Sequence, residues 1–185
     1  ARSRKKVLIS MHRLIDGDAI GAEVACGLLL RQRGIEPILA GFPYIPSRLR
    51  FLPEQNDLEF HTTWGLDATA ISCICQGMAE ACNSVFFLDC AESSQIPAEV
   101  WDLSQKMSVK VGIDHHLGKS SAAERFPDGT LGWVVPATST CEILFRLVRE
   151  GGFAWSPEIA RALYIGMVSD LRKDDIGRGD PAFPE

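Results

Sequence analysis

Two mainly apolar runs of strand length, each closed by an aspartate, constrain the fold more than any other feature of this sequence. They are Ser84–Asp89 and Val109–Asp114. Apolar runs without polar alternation are typical of strands that are buried on both faces, as in parallel sheets covered by helices. The two runs therefore predict strands at the centre of a layered α/β structure.

Patterns elsewhere in the chain alternate between strand length and helix length. Further strands are expected at residues 7–10, 35–40, 58–60 and 132–135. Helices are expected at 18–33, 66–82 and 97–106. Another helix is expected to begin at Thr138 or Ser139, because Glu142 follows at capping-box spacing, and a last one runs from Ser156 to about Val168. The alternation predicts an α/β fold with helices flanking a mostly parallel sheet.

The length and composition suit a single domain. With 185 residues, 46% of them hydrophobic, the chain can bury a substantial core. We place this domain at residues 1–170. Residues 171–185 are polar and contain glycine, so we interpret them as a loosely ordered tail or the start of a linker. Residues 43–53 are expected to form a loop with a short turn.

Charge and cysteine usage narrow the functional classes. A formal net charge of −5 argues against binding nucleic acid through bulk attraction to phosphate. The six cysteines include no CxxC pair, as is typical of thiols in a reducing compartment. Only Val7–Ile9 follow the basic start of the chain as an apolar run, which is too short for a signal peptide or membrane span. We therefore expect a cytoplasmic protein that does not bind membranes.

Acids and histidines follow three of the predicted strands. His12 comes after the first strand, Asp89 ends one apolar run, and Asp114 ends the other, with His115 and His116 directly behind it. Parallel sheets bind ligands at the carboxyl ends of their strands, near a switch in strand order. We therefore expect these clusters to meet at one edge of the sheet.

The segment Asp16-Gly17-Asp18 has two interpretations. Two acids around a glycine can turn both carboxylates toward a metal ion. Taken alone, the segment fits an ordinary turn that caps the next helix better. The fourth histidine, His61, lies in a Thr/Trp segment and is interpreted as a surface or packing residue.

The donor atoms in these clusters favour a hard divalent cation. Carboxylate oxygen with some imidazole suits Mn²⁺, with Mg²⁺, Fe²⁺ or Co²⁺ as possible substitutes. The donors exceed what one ion takes while keeping an open position, which predicts two ions about 3.5–4 Å apart that share a carboxylate and activate a water against a phosphate ester. The candidate ligands are Asp16, Asp18, Asp89, Asp170, His12 and His115.

Four motifs in order resemble those of the DHH phosphoesterases. They are His12-x-x-x-Asp16-Gly-Asp-Ala-Ile-Gly21, Phe87-Leu-Asp89, Val-Gly-Ile-Asp114-His115-His116 and Leu163-Tyr-Ile-Gly-Met-Val-Ser-Asp170. The stretches Pro46–Pro53 and Ser139–Glu142 resemble the branch that contains nanoRNase/pAp phosphatases and relatives of RecJ-type nucleases. Two stretches depart from the family pattern: Leu117-Gly-Lys119 and the residues after Asp170.

The resemblance implies a role for each site residue. His12, Asp16 and Asp89 would hold one Mn²⁺, and Asp18, Asp89, His115 and Asp170 the other, so that Asp89 bridges the two ions. Asp114 would support the site, and His116 would contact the substrate phosphate or leaving oxygen. Asp89, Asp114 and His116 are thus the implied catalytic residues, with His116 also binding substrate.

The resemblance also implies an activity and partners. We expect a metal-dependent phosphoesterase that acts on short oligonucleotides, pAp, or linear or cyclic dinucleotides. The alternatives are a phosphoanhydride hydrolase, like the family's pyrophosphatases and exopolyphosphatases, or a catalytically weak metal-binding module. Family members carry a C-terminal DHHA1 domain that contacts substrate, and we expect it to be missing from this sequence. A homodimer is possible.

Overall fold

The computed structural model describes residues 6–90, 92–116 and 126–178 and confirms the α/β fold. Its strands are β1 (Lys6–Met11), β2 (Glu36–Ala40), β3 (Glu59–His61), β4 (Cys82–Leu88), β5 (Val109–Asp114) and β6 (Leu131–Val134). Its helices are α1 (Gly17–Gln32), α2 (Phe51–Gln55), α3 (Ala68–Ala81), α4 (Ala98–Ser104), α5 (Thr140–Glu150) and α6 (Pro157–Arg178). Single 3-10 turns occur at Ser47–Leu49 and Ser93–Gln95.

The strands form one six-stranded sheet in the order β3-β2-β1-β4-β5-β6. Every strand pair in it is parallel. The chain moves outward from β1 to β3, then returns to the other side of β1 and moves outward again from β4 to β6. The order therefore reverses between β1 and β4, and such a switch point leaves a crevice at the carboxyl ends of the two strands.

Both faces of the sheet are covered by helices, because successive side chains of each strand point to opposite faces. Ile9 of β1 belongs to the core under α1, α5 and α6, whereas the preceding Leu8 belongs to the core under α3 and α4. Strands buried in this way explain why the runs ending at Asp89 and Asp114 lack polar alternation.

The structure corrects two predictions made from the sequence. Residues 43–53 hold more than a turn, because α2 begins within them at Phe51. Helix α6 does not end near Val168 but continues to Arg178, through part of the segment interpreted as a loosely ordered tail. Polar residues such as Arg172 and Lys173 have good helix propensity, so polarity alone did not mark the end of the helix. Residues 179–185 and Leu117–Lys119 lie outside the described part of the chain.

Glycines bring α1 and α6 into close contact. A Cβ added at Gly21 would lie 2.5 Å from the carbonyl oxygen of Ala162 and 3.1 Å from the Cys141 Sγ. A Cβ at Gly17 would lie 2.5 Å from the Ser169 Cβ. The two helices can approach this closely only because α1 presents no side chain at these positions.

We expect Gly21→Ala to destabilise the protein by about 1–3 kcal/mol, since the methyl group must push two packed backbones apart. Gly77→Ala is the matched control, because Gly77 is exposed on α3 and an added Cβ would meet nothing within 4 Å. This control should stabilise the helix by up to about 1 kcal/mol. Urea unfolding of both variants measures the difference, and equal effects of the two changes would contradict the close contact.

Candidate metal centre

The structure brings the predicted site residues together at the carboxyl edge of the sheet. His12 follows β1, Asp89 follows β4, and Asp114 ends β5. The remaining members are His115 and His116 after β5, Asp16 and Asp18 at the start of α1, and Asp170 on α6. The centre thus lies at the switch between β1 and β4. His61 is outside it and contacts Glu59 on β3, with 3.1 Å between Nε2 and Oε1.

The first ligand group consists of His12, Asp16 and Asp89. Nε2 of His12 lies 3.7 Å from Oδ2 of Asp16 and 3.3 Å from Oδ2 of Asp89. Oδ1 of Asp16 faces the other way and accepts the backbone N–H groups of Asp18 and Ala19, each at 3.0 Å. One oxygen of Asp16 therefore caps α1, as the turn interpretation predicts, and the other faces His12. Metal binding by Asp16 stays a prediction.

The second group consists of Asp18, His115 and Asp170. Nε2 of His115 lies 3.2 Å from Oδ2 of Asp170 and 3.8 Å from Oδ2 of Asp18. Nδ1 of the same ring lies 3.3 Å from the carbonyl oxygen of Ala137. Because a carbonyl only accepts, we assign a proton to Nδ1, so the ring presents a lone pair on Nε2 once Nε2 has lost its own proton.

The buried Nε2 of His115 makes no well-directed hydrogen bond within the described residues, although carboxylate oxygens surround it. Such an atom fits a metal ligand better than a hydrogen-bonding group. The donor atoms of each ligand group lie within 4.8 Å of one another. The residues present therefore fit a divalent cation in each group.

Asp89 belongs to the first group and also faces the second. Its Oδ2 faces His12, whereas its Oδ1 lies 3.4 Å from Nε2 of His115. Its backbone has a φ of 56°, in the left-handed region that few residues other than glycine, asparagine and aspartate adopt. Strained backbone of this kind persists where the surroundings hold it and is concentrated at functional sites. The carboxylate is placed to bridge the two groups.

Asp114 and His116 form a separate pair at the rim of the site. Oδ1 of Asp114 accepts the backbone N–H of His116 at 3.1 Å and lies 2.8 Å from its Nδ1. Asp114 is fully buried, whereas the side chain of His116 is 44% exposed. The buried carboxylate fixes the orientation of a ring that reaches the surface. The support of the metal site by Asp114 stays a prediction, and what the structure shows is its hydrogen bond to His116.

Burial and mutual charge shift the pKa values of the cluster. Burial, reinforced by the charge of Asp89, raises the pKa of Asp18 to about 7. Burial would also raise the pKa of Asp89, but His115 and His12 outweigh it and hold that pKa well below its usual range. Burial alone would lower both histidine pKa values. The facing carboxylates instead raise that of His12 to about 9 and that of His115 to about 11.

Sequence reasoning missed the role of the α5 N-terminus. The backbone N–H groups of Thr140 and Cys141 donate to Oδ2 and Oδ1 of Asp18, at 2.7 and 3.0 Å. The Thr140 hydroxyl donates to Oδ1 of Asp89 at 3.2 Å. Ser139 caps the helix by accepting the N–H of Glu142. The capping signal predicted the helix start, but only the fold shows that its first amides meet two carboxylates.

Comparison with protein-family models identifies the domain. Residues 6–167 match the model described as "DHH family, N-terminal domain". The chain belongs to the DHH family. The match covers β1 to most of α6 and therefore includes the whole candidate metal centre except Asp170, which lies three residues beyond it.

Two relatives share this DHH domain. A probable manganese-dependent inorganic pyrophosphatase of Streptococcus mutans serotype c is 26% identical over 183 residues, which is 97% of this chain and 54% of the relative. A crystal structure of an exopolyphosphatase-related protein from Bacteroides fragilis matches with a TM-score of 0.69 at 26% identity, over 91% of this chain and 46% of that chain. This chain spans about half the length of both relatives.

Among the described residues of this chain, no helix is both long and apolar enough to cross a membrane.

We expect Thr140→Val to weaken Mn²⁺ binding about tenfold, because it removes the hydroxyl that orients Asp89 and keeps the backbone amides that hold Asp18. Thr140→Ser retains the hydroxyl and should bind nearly as the parent protein does. Thr130→Val is the matched control, since that hydroxyl donates to the carbonyl of Pro127 outside the site. Calorimetric titration measures the affinities, and equal loss in both valine variants would rule out a local effect.

We expect Mn²⁺ affinity to rise with pH through the neutral range. His12 and His115 have raised pKa values of about 9 and about 11, so below these values a cation must displace their protons. Each displaced proton makes the affinity rise about tenfold per pH unit. Calorimetry at about pH 7.5 in buffers of different ionisation enthalpy counts the protons that are released. Binding without proton release would contradict the assignment of these histidines as ligands.

Proposed function

We propose that this chain is the metal-binding catalytic portion of an enzyme that hydrolyses phosphoanhydride bonds. The position of Asp89 carries the proposal, because each of its oxygens faces a different ligand group. A carboxylate shared by two cations is the usual arrangement of two-metal hydrolases that act on phosphorus. The names of the two relatives, a pyrophosphatase and an exopolyphosphatase-related protein, support a phosphoanhydride substrate over the oligonucleotide expected from the sequence.

Two divalent ions, with manganese as the first candidate, would be held by these residues. Carboxylate and imidazole side chains supply hard oxygen and nitrogen donors, three for one ion and four for the other, which suit Mn²⁺. His12, Asp16 and Asp89 would hold one ion, and Asp18, Asp89, His115 and Asp170 the other. When bound, the ions would lower the pKa of a shared water and neutralise charge on the phosphate oxygens.

The chain's own residues orient the reacting groups and move protons. The Thr140 hydroxyl holds the Asp89 carboxylate in the orientation in which it faces both groups. Asp114 holds the His116 ring through Nδ1, so His116 would act through Nε2. The hydrogen bond to Asp114 also raises the pKa of His116, which favours the protonated ring. A protonated His116 can donate to the oxygen of the leaving phosphate.

A phosphodiesterase is the second candidate. The stretches Pro46–Pro53 and Ser139–Glu142 favour it, because they resemble the nanoRNase/pAp phosphatase branch. The same two-ion arrangement can serve either substrate, since both reactions replace an oxygen substituent at phosphorus with water.

We expect Asp89→Asn to reduce Mn²⁺-dependent phosphate release from pyrophosphate at least about a hundredfold, because the neutral amide cannot serve two cations. Asp57→Asn is the matched control. Asp57 also has a left-handed backbone, with φ of 50°, and undergoes the same change in charge, but it is exposed after α2. The control should retain full activity.

The same assay decides between the candidate functions. Preferred release of phosphate from pyrophosphate or tripolyphosphate supports the main proposal, whereas preferred cleavage of a short oligoribonucleotide supports the second candidate. If neither substrate is cleaved in the presence of Mn²⁺ by the parent protein, the enzyme proposal is wrong. Activity that is unchanged in Asp89→Asn would equally exclude the two-ion arrangement.

A further inference from the structure

The side chain of Glu23, on α1, is buried in the core without a partner. Its exposed fraction is 0%. Within residues 6–90, 92–116 and 126–178, neither of its carboxyl oxygens makes a well-directed hydrogen bond. Buried polar groups are nearly always hydrogen-bonded, so a carboxyl group in this position requires a physical explanation.

A bound metal ion does not supply that explanation. Glu23 follows Asp18 by five residues along α1 and belongs to neither ligand group of the metal centre. The unpaired nitrogen of His115 faces three carboxylates, which a cation can bring together. Among the residues that the structure describes, Glu23 has no such set of metal-binding neighbours.

The surroundings of Glu23 are uncharged. Cys26, on the same helix, and Cys90, which follows β4, are the thiols that the charge of Glu23 would reach. Burial raises the pKa of both thiols, so they stay neutral at neutral pH. From β2, the backbone N–H of Ala40 faces the carboxyl group. No arginine, lysine or histidine in the described part of the chain pairs with Glu23.

A negative charge at this position would therefore be unfavourable. A carboxylate that is removed from water without a cation nearby loses its hydration and gains little in return, whereas the neutral acid loses much less. Burial accordingly raises the pKa of Glu23 well above its usual range, and the N–H of Ala40 offsets this only in part. The carboxyl group keeps its proton at a pH at which exposed glutamates have lost theirs.

We propose that Glu23 makes the packing of α1 sensitive to pH. As a neutral acid, its side chain stays buried where α1 packs on the sheet, and loss of the proton to solvent leaves a buried charge that weakens this packing. Helix α1 also carries Asp16 and Asp18 at its N-terminus, so a loosened helix affects the metal centre. The inference does not depend on the proposed function.

The test compares the urea unfolding of the parent protein with that of Glu23→Gln across pH, at one fixed Mg²⁺ concentration. Between about 4.3, the pKa of glutamate in an unfolded chain, and the raised pKa of Glu23, the native protein holds one proton more than the unfolded chain. The unfolding equilibrium constant of the parent should therefore rise about tenfold per pH unit relative to that of Glu23→Gln. Glu80→Gln is the matched control, because Glu80 is exposed on α3 and contacts Gln76. It should keep the pH dependence of the parent. An identical pH dependence in the parent and in Glu23→Gln would overturn the proposal.

Carbon-13 NMR of the parent protein gives a direct measurement that does not require a variant to be stable. Labelling only the glutamate carboxyl carbons keeps Asp18 out of the spectrum. At about pH 7, one resonance should have the position of a neutral acid, whereas exposed glutamates are ionised. The resonance should be absent from Glu23→Gln and from Glu23→Leu. If every glutamate resonance of the parent is that of a carboxylate, the proposal is wrong.

Amide hydrogen exchange locates the effect in the fold. Exchange in α1 of the parent, divided by that of Glu23→Gln at the same pH, should rise as Glu23 loses its proton, because the intrinsic pH dependence of exchange cancels in the ratio. A ratio in α1 that stays constant while the carboxyl resonance titrates would overturn the proposed effect on this helix.

Discussion

The rest of the structure has to stabilise negative charge that is buried at the carboxyl edge of the sheet. Asp18, Asp89 and Asp114 are almost completely shielded from water, and a carboxylate in that position is costly unless it is paired. The fold supplies a different compensation for each. Two helix N-terminal amides hold Asp18, histidines flank Asp89, and Asp114 accepts two hydrogen bonds from His116. A cation shared among the clusters would strengthen the same compensation.

Packing on one face of the sheet makes this arrangement possible. The start of α5 reaches Asp18 because α1, α5 and α6 pack together, and Gly21 lets α1 approach the backbone of α6. Asp170 arrives on α6 as part of the same layer. Stability of the core and geometry of the centre therefore depend on the same contacts, so a packing change well below the surface can displace a ligand.

Much of the fold and of the site could be predicted from the sequence, for reasons visible in particular residues. Continuous apolar runs mark buried parallel strands, and the acids that end them at Asp89 and Asp114 must share one edge. The local sequence pattern could not predict contacts between residues that are far apart in the chain. The backbone amides of Thr140 and Cys141 carry no sequence signal for an aspartate on another helix, and the polar residues after Asp170 gave no sign that the helix continues. The left-handed backbone at Asp89 was equally invisible, because no glycine marks it.

The placement of the centre also has a consequence for how the chain folds. His12 follows the first strand and Asp170 lies on the last described helix, so the candidate ligands come from both ends of nearly the whole domain. A site of this kind cannot exist in a nascent chain that still lacks its last helix. Once bound, a cation would cross-link the two ends of the fold. Removing it with a chelator would then lower the stability of the whole domain and not only of the site at the edge of the sheet.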